Sequence, residues 1–235
     1  MLTNGLSEKL LEIYRLLFEH FGHRNWWPGD SPFEVIIGAI LTQNTAWTNV
    51  EKAISNLKAA ETLSIERILS LPVDELALLI RPSGYYNQKA LKLKAVCQYF
   101  NSHTGEQFQT RKELSTSTLR NELLAINGIG AETADSILLY ALERTVFVVD
   151  TYTKRSLNRL GLIDNSAKYD DIQQLFTSNL EPDRELFNDY HAQFVALGKY
   201  FCRTKPLCGE CPLKGACDHN SISENNKVVV SCVLT

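Results

Sequence analysis

The chain carries no surplus of basic charge. Asp and Glu number 27 against 24 Lys and Arg, for a formal net charge of −3 and a sequence pI of about 6.0. That balance excludes a protein that grips nucleic acid over most of its surface, so any such footprint is a local basic patch. Candidates are Lys89, Lys92 and Lys94, then Lys154, Arg155 and Arg159, then Arg203, Lys205 and Lys214. Each group alone also reads as a solvated helix face or loop. Long apolar runs are missing too, and none approaches the length that spans a bilayer. The opening stretch MLTNGLSEKLLEIYRLL has acidic residues inside its apolar pattern, so it reads as an amphipathic helix and not as a signal peptide. No membrane association is expected; the expected compartment is the cytoplasm, nucleoid-associated in a bacterial or archaeal cell. No internal repeat or long linker interrupts the 235 residues, of which 44% are hydrophobic and 22% charged. Such a chain makes one large globular domain or two modest ones.

Strand patterning is nearly absent. Leu10, Leu11, Tyr14, Leu17, Phe18 and Phe21 share one face of a first helix. Ser31, Pro32 and Glu34 supply an N-cap, an N1 proline and an N3 acid, the signature of a capping box. The helix they start is apolar nearly all round and is therefore expected to be buried. Helical spacing continues over about 47–60, 65–70 and the stretch PVDELALLI, which Arg81-Pro82 stops. It resumes in RPSGYYNQKALKLKAVCQYF, STSTLRNELLAINGIG, 151–160, 169–178 and 184–200. RTVFVVD is the one convincing extended run, and it reads equally as a buried connection. The expected fold class is all-α.

Three stretches carry chemistry. LLAINGIGAETADSIL is a helix, a tight glycine turn and a second helix. Gly128 and Gly130 permit backbone angles that other residues resist. They also let N–H groups at the start of the second helix, Ala131 included, approach a phosphate. A plain helix–turn–helix corner is the competing reading. In VFVVDTYTKR, Asp150 closes a buried run, where a carboxylate needs a partner or a role; taken alone, an N-cap for the next helix accounts for it. Finally, Cys202, Cys208, Cys211 and Cys217 fall within sixteen residues of the six-cysteine chain. Such crowding in a cytosolic protein indicates a metal site, either a [4Fe–4S] cluster or zinc, and spacing does not choose between them. Cys97 and Cys232 stand outside the set, Cys97 as a small core residue.

In this order the three stretches resemble the endonuclease III superfamily of helix-hairpin-helix DNA glycosylases, from about Trp26 to Cys217. The resemblance implies two helical domains flanking a DNA-binding cleft. Residues 31–145 would form a helical-barrel domain with the hairpin. Residues 1–30 plus 146–219 would form a discontinuous cluster domain, and 220–235 a C-terminal tail. It also implies a [4Fe–4S] cluster on the four cysteines, with a first gap of five residues where the family usually has six. Asp150 would be the catalytic carboxylate, and Gln43 in LTQNTAW the filler of the gap left by a flipped-out nucleotide. The implied partner is double-stranded DNA with a damaged base, bound by a monomer.

Bifunctional members have a lysine two residues after the second glycine, whose amine forms a Schiff base with the sugar and cuts the strand. Here that position is Glu132. A carboxylate alone stabilises an oxocarbenium-like sugar and activates water, so the expectation is a monofunctional glycosylase that leaves an abasic site. Lys154 is the alternative source of an amine. WWPGDSPFE, LTQNTAW and RPSGYYNQKA resemble the 3-methyladenine glycosylase branch, in which an aromatic pair and a further aromatic line the base pocket. Trp26, Trp27 and Trp47 match them. An N-alkylated purine is cationic, and electron-rich rings attract a cation by roughly 0.5–2 kcal/mol. The same tryptophans also read as core. Lys199 falls where cluster-free members have a lysine near the pocket, and it reads equally as a phosphate contact or a solvated helix end. The expected substrates are 3-methyladenine and 7-methylguanine. The competing readings are an oxidised-pyrimidine glycosylase with lyase activity and a non-catalytic Fe–S module that binds DNA. An adenine-mismatch enzyme is disfavoured by the short chain beyond the cysteines.

Overall fold

The structure, a computed structural model, describes residues 4–102, 114–217 and 219. In chain order the helices are α1 (Asn4–Phe21), α2 (Pro32–Leu41), α3 (Trp47–Ala59), α4 (Ile65–Ser70), α5 (Val73–Leu79) and α6 (Tyr86–Ser102). There follow α7 (Thr116–Leu124), α8 (Ala131–Ser136), α9 (Thr151–Arg159), α10 (Tyr169–Thr177) and α11 (Arg184–Tyr200). Among the described residues every regular element is helical, and no helix is long and apolar enough to cross a membrane. The chain divides into two compact units, Trp27–Thr145, and Met1–Trp26 together with Val146–Thr235. The tail with Cys232 lies outside the described residues.

The Trp27–Thr145 unit is built around α2. Ser31 Oγ accepts the Glu34 N–H at 3.2 Å, and the Glu34 carboxylate accepts the Asp30 N–H at 3.3 Å, so the N-terminus is capped from both sides. Every residue from Phe33 to Leu41 is buried, because α2 packs on α3, α6, α8 and the turn that follows α8. Lys58 staples the loop before α2 to α3 through Asp30 at 2.7 Å and Glu34 at 2.8 Å. A forked ion pair joins α7 to α8: Arg120 Nε and Nη2 donate to the buried Asp135 carboxylate at 2.8 and 3.2 Å. Lys89 is only 2% exposed. Its amine donates to the carbonyls of Leu41 at 2.8 Å and Ser83 at 2.7 Å, tying the end of α2 to the Arg81–Ser83 turn. Burial, and then neighbouring Lys92, lower this amine to about 8, which leaves it charged and donating at neutral pH.

The other unit has an aromatic core. Phe147 stacks on Phe176 at 3.7 Å between centroids, and Tyr190 on Phe194 at 5.0 Å. The run RTVFVVD forms no strand. Val146 to Val149 are buried, but side chains take the place of a ladder. The Val149 N–H donates to Tyr169 Oη at 3.3 Å, and the Phe147 carbonyl accepts Gln173 Nε2 at 2.7 Å. With its backbone groups served this way, a buried apolar segment has no need of a neighbouring strand. Asp189 on α11 holds the segment after α1, accepting Tyr14 Oη at 3.1 Å, the Arg24 N–H at 2.8 Å and Gln193 Nε2 at 2.9 Å.

Candidate functional site

The glycine turn between α7 and α8 sits at the surface of the Trp27–Thr145 unit. Gly128 has φ +86, a backbone region closed to most side chains. A Cβ there would also lie 2.9 Å from Lys92 Cγ. Gly130 differs from the sequence expectation. It is extended (φ −92, ψ 177) as the N-cap of α8, so no backbone requirement calls for glycine. A Cβ at Gly130 meets nothing within 4 Å. The start of a helix leaves its first N–H groups without intrahelical acceptors. Gln43, half-buried after α2, docks onto this turn. Its Nε2 donates to Thr133 Oγ1 at 2.9 Å and to the Gly128 carbonyl at 3.3 Å, while its Oε1 accepts Lys92 Nζ at 2.5 Å. The structure thus brings Gln43, Gly128 and the α8 N-terminus together. Glu132 is exposed on the first turn of α8.

An aromatic corner lies in the same unit. Trp27 meets Trp47 edge to face at 5.3 Å and 85°, and Tyr140 at 5.3 Å and 52°. All three rings are half-buried. A Cβ on Gly38 would lie 3.0 Å from Trp27 Nε1, so the indole rests directly on the α2 backbone. Sequence reasoning missed Tyr140. It sits in a π-helical stretch, Ile137–Ala141, that continues α8. The wider turn re-aims a side chain away from the position that a 3.6-residue period assigns. The periodicity therefore carried no signal for it. Tyr85 is a further aromatic that the periodicity does not single out. It is 72% exposed with φ +46, immediately after Gly84 at φ +66. A large aromatic directly after a Ser-Gly turn was the available clue, and one held this way is a candidate contact surface. Trp26 is half-buried and belongs to the other unit.

Asp150 is the N-cap of α9, and its Oδ1 accepts the Thr153 N–H at 2.7 Å. Its Oδ2 lies 3.7 Å from Nε2 of the buried His191 on α11, an ion-pair distance and too long for a direct hydrogen bond. Burial by itself raises the carboxyl's pKa; His191 and the Thr153 groups outweigh it and hold the carboxyl below its ordinary range. The capping role and an ionised, half-buried carboxylate therefore coexist. Lys199 is exposed at the end of α11, with its amine over the Tyr200 ring at 5.6 Å.

The four clustered cysteines follow α11. Burial pushes the Cys211 thiol up to about 11; a Leu213 backbone hydrogen bond opposes this, and the fields of Cys202, Cys217 and Cys208 add to it. The other three sulfurs are thus each within electrostatic reach of Cys211. Arg159 Nη1 donates to Cys202 Sγ at 3.3 Å, and Cys217 Sγ donates to the Arg159 carbonyl at 3.3 Å. Among the described residues no three His, Cys, Asp or Glu side chains are grouped closely enough to hold a single metal ion. Four cysteines in one loop are a donor set of the kind that holds a [4Fe–4S] cluster or a zinc ion. Cys97 is fully buried, and burial pushes its thiol up to about 12.

Most of the expected basic patch is engaged inside the fold. Besides Lys89 and Lys92, Lys94 donates to the Ile68 and Leu69 carbonyls and Lys154 to that of Ala167. Arg155 donates to the Cys202 carbonyl at 2.7 Å, and Arg159 to those of Arg203 and Thr204. Backbone carbonyls at helix ends and in the cysteine loop need donors, and nearby cations supply them.

A helical hairpin with a glycine turn, a capped carboxylate on a separate unit and a four-cysteine loop define a class of DNA repair enzyme. Residues 37–182 match the HhH-GPD superfamily of base excision DNA repair proteins, and the chain belongs to that family. A Methanocaldococcus jannaschii protein, provisionally named a DNA repair glycosylase, is 51% identical over 211 residues, covering 89% of this chain and 96% of that protein. Endonuclease III of Sulfolobus acidocaldarius is 31% identical over 189 residues, covering 80% and 82% of the two chains. The crystal structure of the H. pylori 3-methyladenine DNA glycosylase bound to 1,N6-ethenoadenine matches with a TM-score of 0.68 and 31% identity. It covers 83% of this chain and 97% of that one. A trapped endonuclease III–DNA covalent intermediate shares the fold, with a TM-score of 0.78 at 21% identity over 95% of this chain and 100% of that one. The protein is a DNA glycosylase of base excision repair, and DNA is its partner.

Proposed function

We propose that this glycosylase is monofunctional and removes N-alkylated purines, 3-methyladenine and 7-methylguanine, from double-stranded DNA by flipping the base out and hydrolysing its glycosidic bond. The observation that carries the reading is the corner of Trp27, Trp47 and Tyr140, three half-buried rings converging in one unit. Ring faces of this kind bind a cationic base by cation–π attraction; Trp26, on the other unit, is a further aromatic candidate for base contact. Alkylation also weakens the glycosidic bond, so one carboxylate is sufficient catalyst. Asp150, held ionised by His191 and Thr153, stabilises the positive sugar and orients water on it. Gln43 fills the vacated stack. Gly128, Gly130 and the N–H groups from Ala131 onward hold a phosphate, and Lys199 supplies a further DNA contact. The 31% identity to a 3-methyladenine glycosylase supports the same substrate.

Glu132 supports the absence of lyase chemistry, since a carboxylate forms no Schiff base. Lys154, the alternative amine, donates to the Ala167 carbonyl at 2.6 Å. The endonuclease III relative at 31% identity favours the second reading, an oxidised-pyrimidine glycosylase with lyase activity. Incubation with methylated and with oxidised-pyrimidine DNA separates the two. Methylpurine release with strand breaks only after alkali is expected. Breaks before alkali, together with a borohydride-trapped covalent complex, would establish the lyase. Asp150→Asn keeps a good N-cap, so it should fold normally yet lose about 100-fold or more in single-turnover base release.

Cys202, Cys208, Cys211 and Cys217 would hold a [4Fe–4S] cluster, which would cross-link the loop after α11. Iron and acid-labile sulfide in equal amounts are expected in the purified protein, and zinc without sulfide would refute the assignment.

A further inference from the structure

Trp47 opens α3, and its indole Nε1 donates to the Glu51 carboxylate at 3.0 Å, one turn further along the same helix. Glu51 is exposed and has no part in the reading given above. An acid beside a DNA-binding pocket repels phosphate, and an exposed pair one helical turn apart contributes only a few tenths of a kcal/mol to stability. Its effect on the ring is of a different kind. A carboxylate accepting the indole N–H pushes electron density into the π-system, and its charge adds to the negative potential of the ring face. A cation on that face is held more tightly, whereas a neutral base gains nothing comparable. The Trp27 edge contact fixes the orientation of the Trp47 ring, so the tuned face keeps one direction in the corner.

We propose that Glu51 acts through Trp47 to tune the aromatic corner for cationic, N-alkylated purines. This positioning role rests on the alkylpurine reading above. Glu51→Gln retains an oxygen acceptor for the indole and removes the charge, while Glu51→Asp retains the charge. Release of 7-methylguanine from methylated duplex is measured under single turnover, with duplex affinity and the unfolding midpoint measured alongside. Glu51→Gln should slow release by roughly two- to fivefold. It should bind duplex as tightly as the wild type or more tightly, because a negative charge has gone, and its midpoint should not move. Glu51→Asp should release the base close to the wild-type rate. A purely structural role moves the midpoint and weakens duplex binding along with release, which overturns the proposal. So does unchanged release in Glu51→Gln, or equal slowing in both variants. Wild-type protein that releases no methylpurine removes the alkylpurine reading itself; a wild type that does, with Glu51→Gln unaffected, removes only the role of Glu51.

Discussion

Gly198→Ala is a sharp test of how the carboxylate-bearing unit is assembled. Gly198 is buried in the last turn of α11, where that helix crosses α9. A Cβ at this position would lie 2.6 Å from both Cβ and Cγ of Tyr152. Carbon atoms pack at about 3.5 Å or more, so the two helices must separate by about 1 Å. Rotation of the tyrosine cannot relieve a clash with its own Cβ, so the helix itself has to move. Overpacking of this kind costs about 1–3 kcal/mol, and this geometry lies at the upper end. Against it stands the gain of about 1 kcal/mol from replacing glycine by alanine within a helix. The clash wins, for a net loss of about 2 kcal/mol. Arg155 spans the same crossing, with its guanidinium 5.2 Å from the Tyr152 ring and bonded to the Gly198 and Cys202 carbonyls. Tyr152 also lies two residues after Asp150, so the displacement should widen the Asp150–His191 separation and reduce base release. Urea unfolding measures the stability change. A midpoint equal to or above that of the wild type would mean that alanine's helix propensity prevails and that the helices do not meet this closely.

The lowered pKa of Asp150 has a definite sign. Its contribution to stability is complete above the unfolded value of about 3.9 and is lost as pH falls through the lower folded value. Base release should therefore persist into mildly acidic solution, and His191→Ala should move its acid limb upward; a limb unmoved in the variant refutes the coupling. Lys89→Met leaves the Leu41 and Ser83 carbonyls without their donor and should cost about 2–4 kcal/mol in denaturant unfolding. A loss below about 1 kcal/mol would show that water replaces the amine easily. Cys208→Ser should lower bound iron and sulfide together, by elemental analysis of the purified protein, and unchanged iron would exclude Cys208 as a ligand.

The sequence by itself determined every feature whose cause is local. The helices follow from apolar spacing, and the α2 start from Ser31, Pro32 and Glu34, because caps and periodic faces are written within one turn of chain. The same holds for the family, carried by the hairpin, Asp150 and the four cysteines. RTVFVVD stayed ambiguous, since apolar residues signal burial without saying whether a strand or side chains such as Tyr169 and Gln173 serve the backbone. The glycines of the turn looked alike, yet only Gly128 has a positive φ; a glycine code does not reveal which backbone angle it takes. Tertiary structure alone decided the neighbours. His191 lies 41 residues from Asp150, Lys92 reaches Gln43 across 49, and Tyr140 reaches Trp27 only because a π-helical stretch turns it there. Most of the basic residues that are candidates for a DNA patch donate to carbonyls within the fold for the same reason. Which groups a charge can reach depends on how distant segments pack, and that packing has no signature in the residues on either side of the charge.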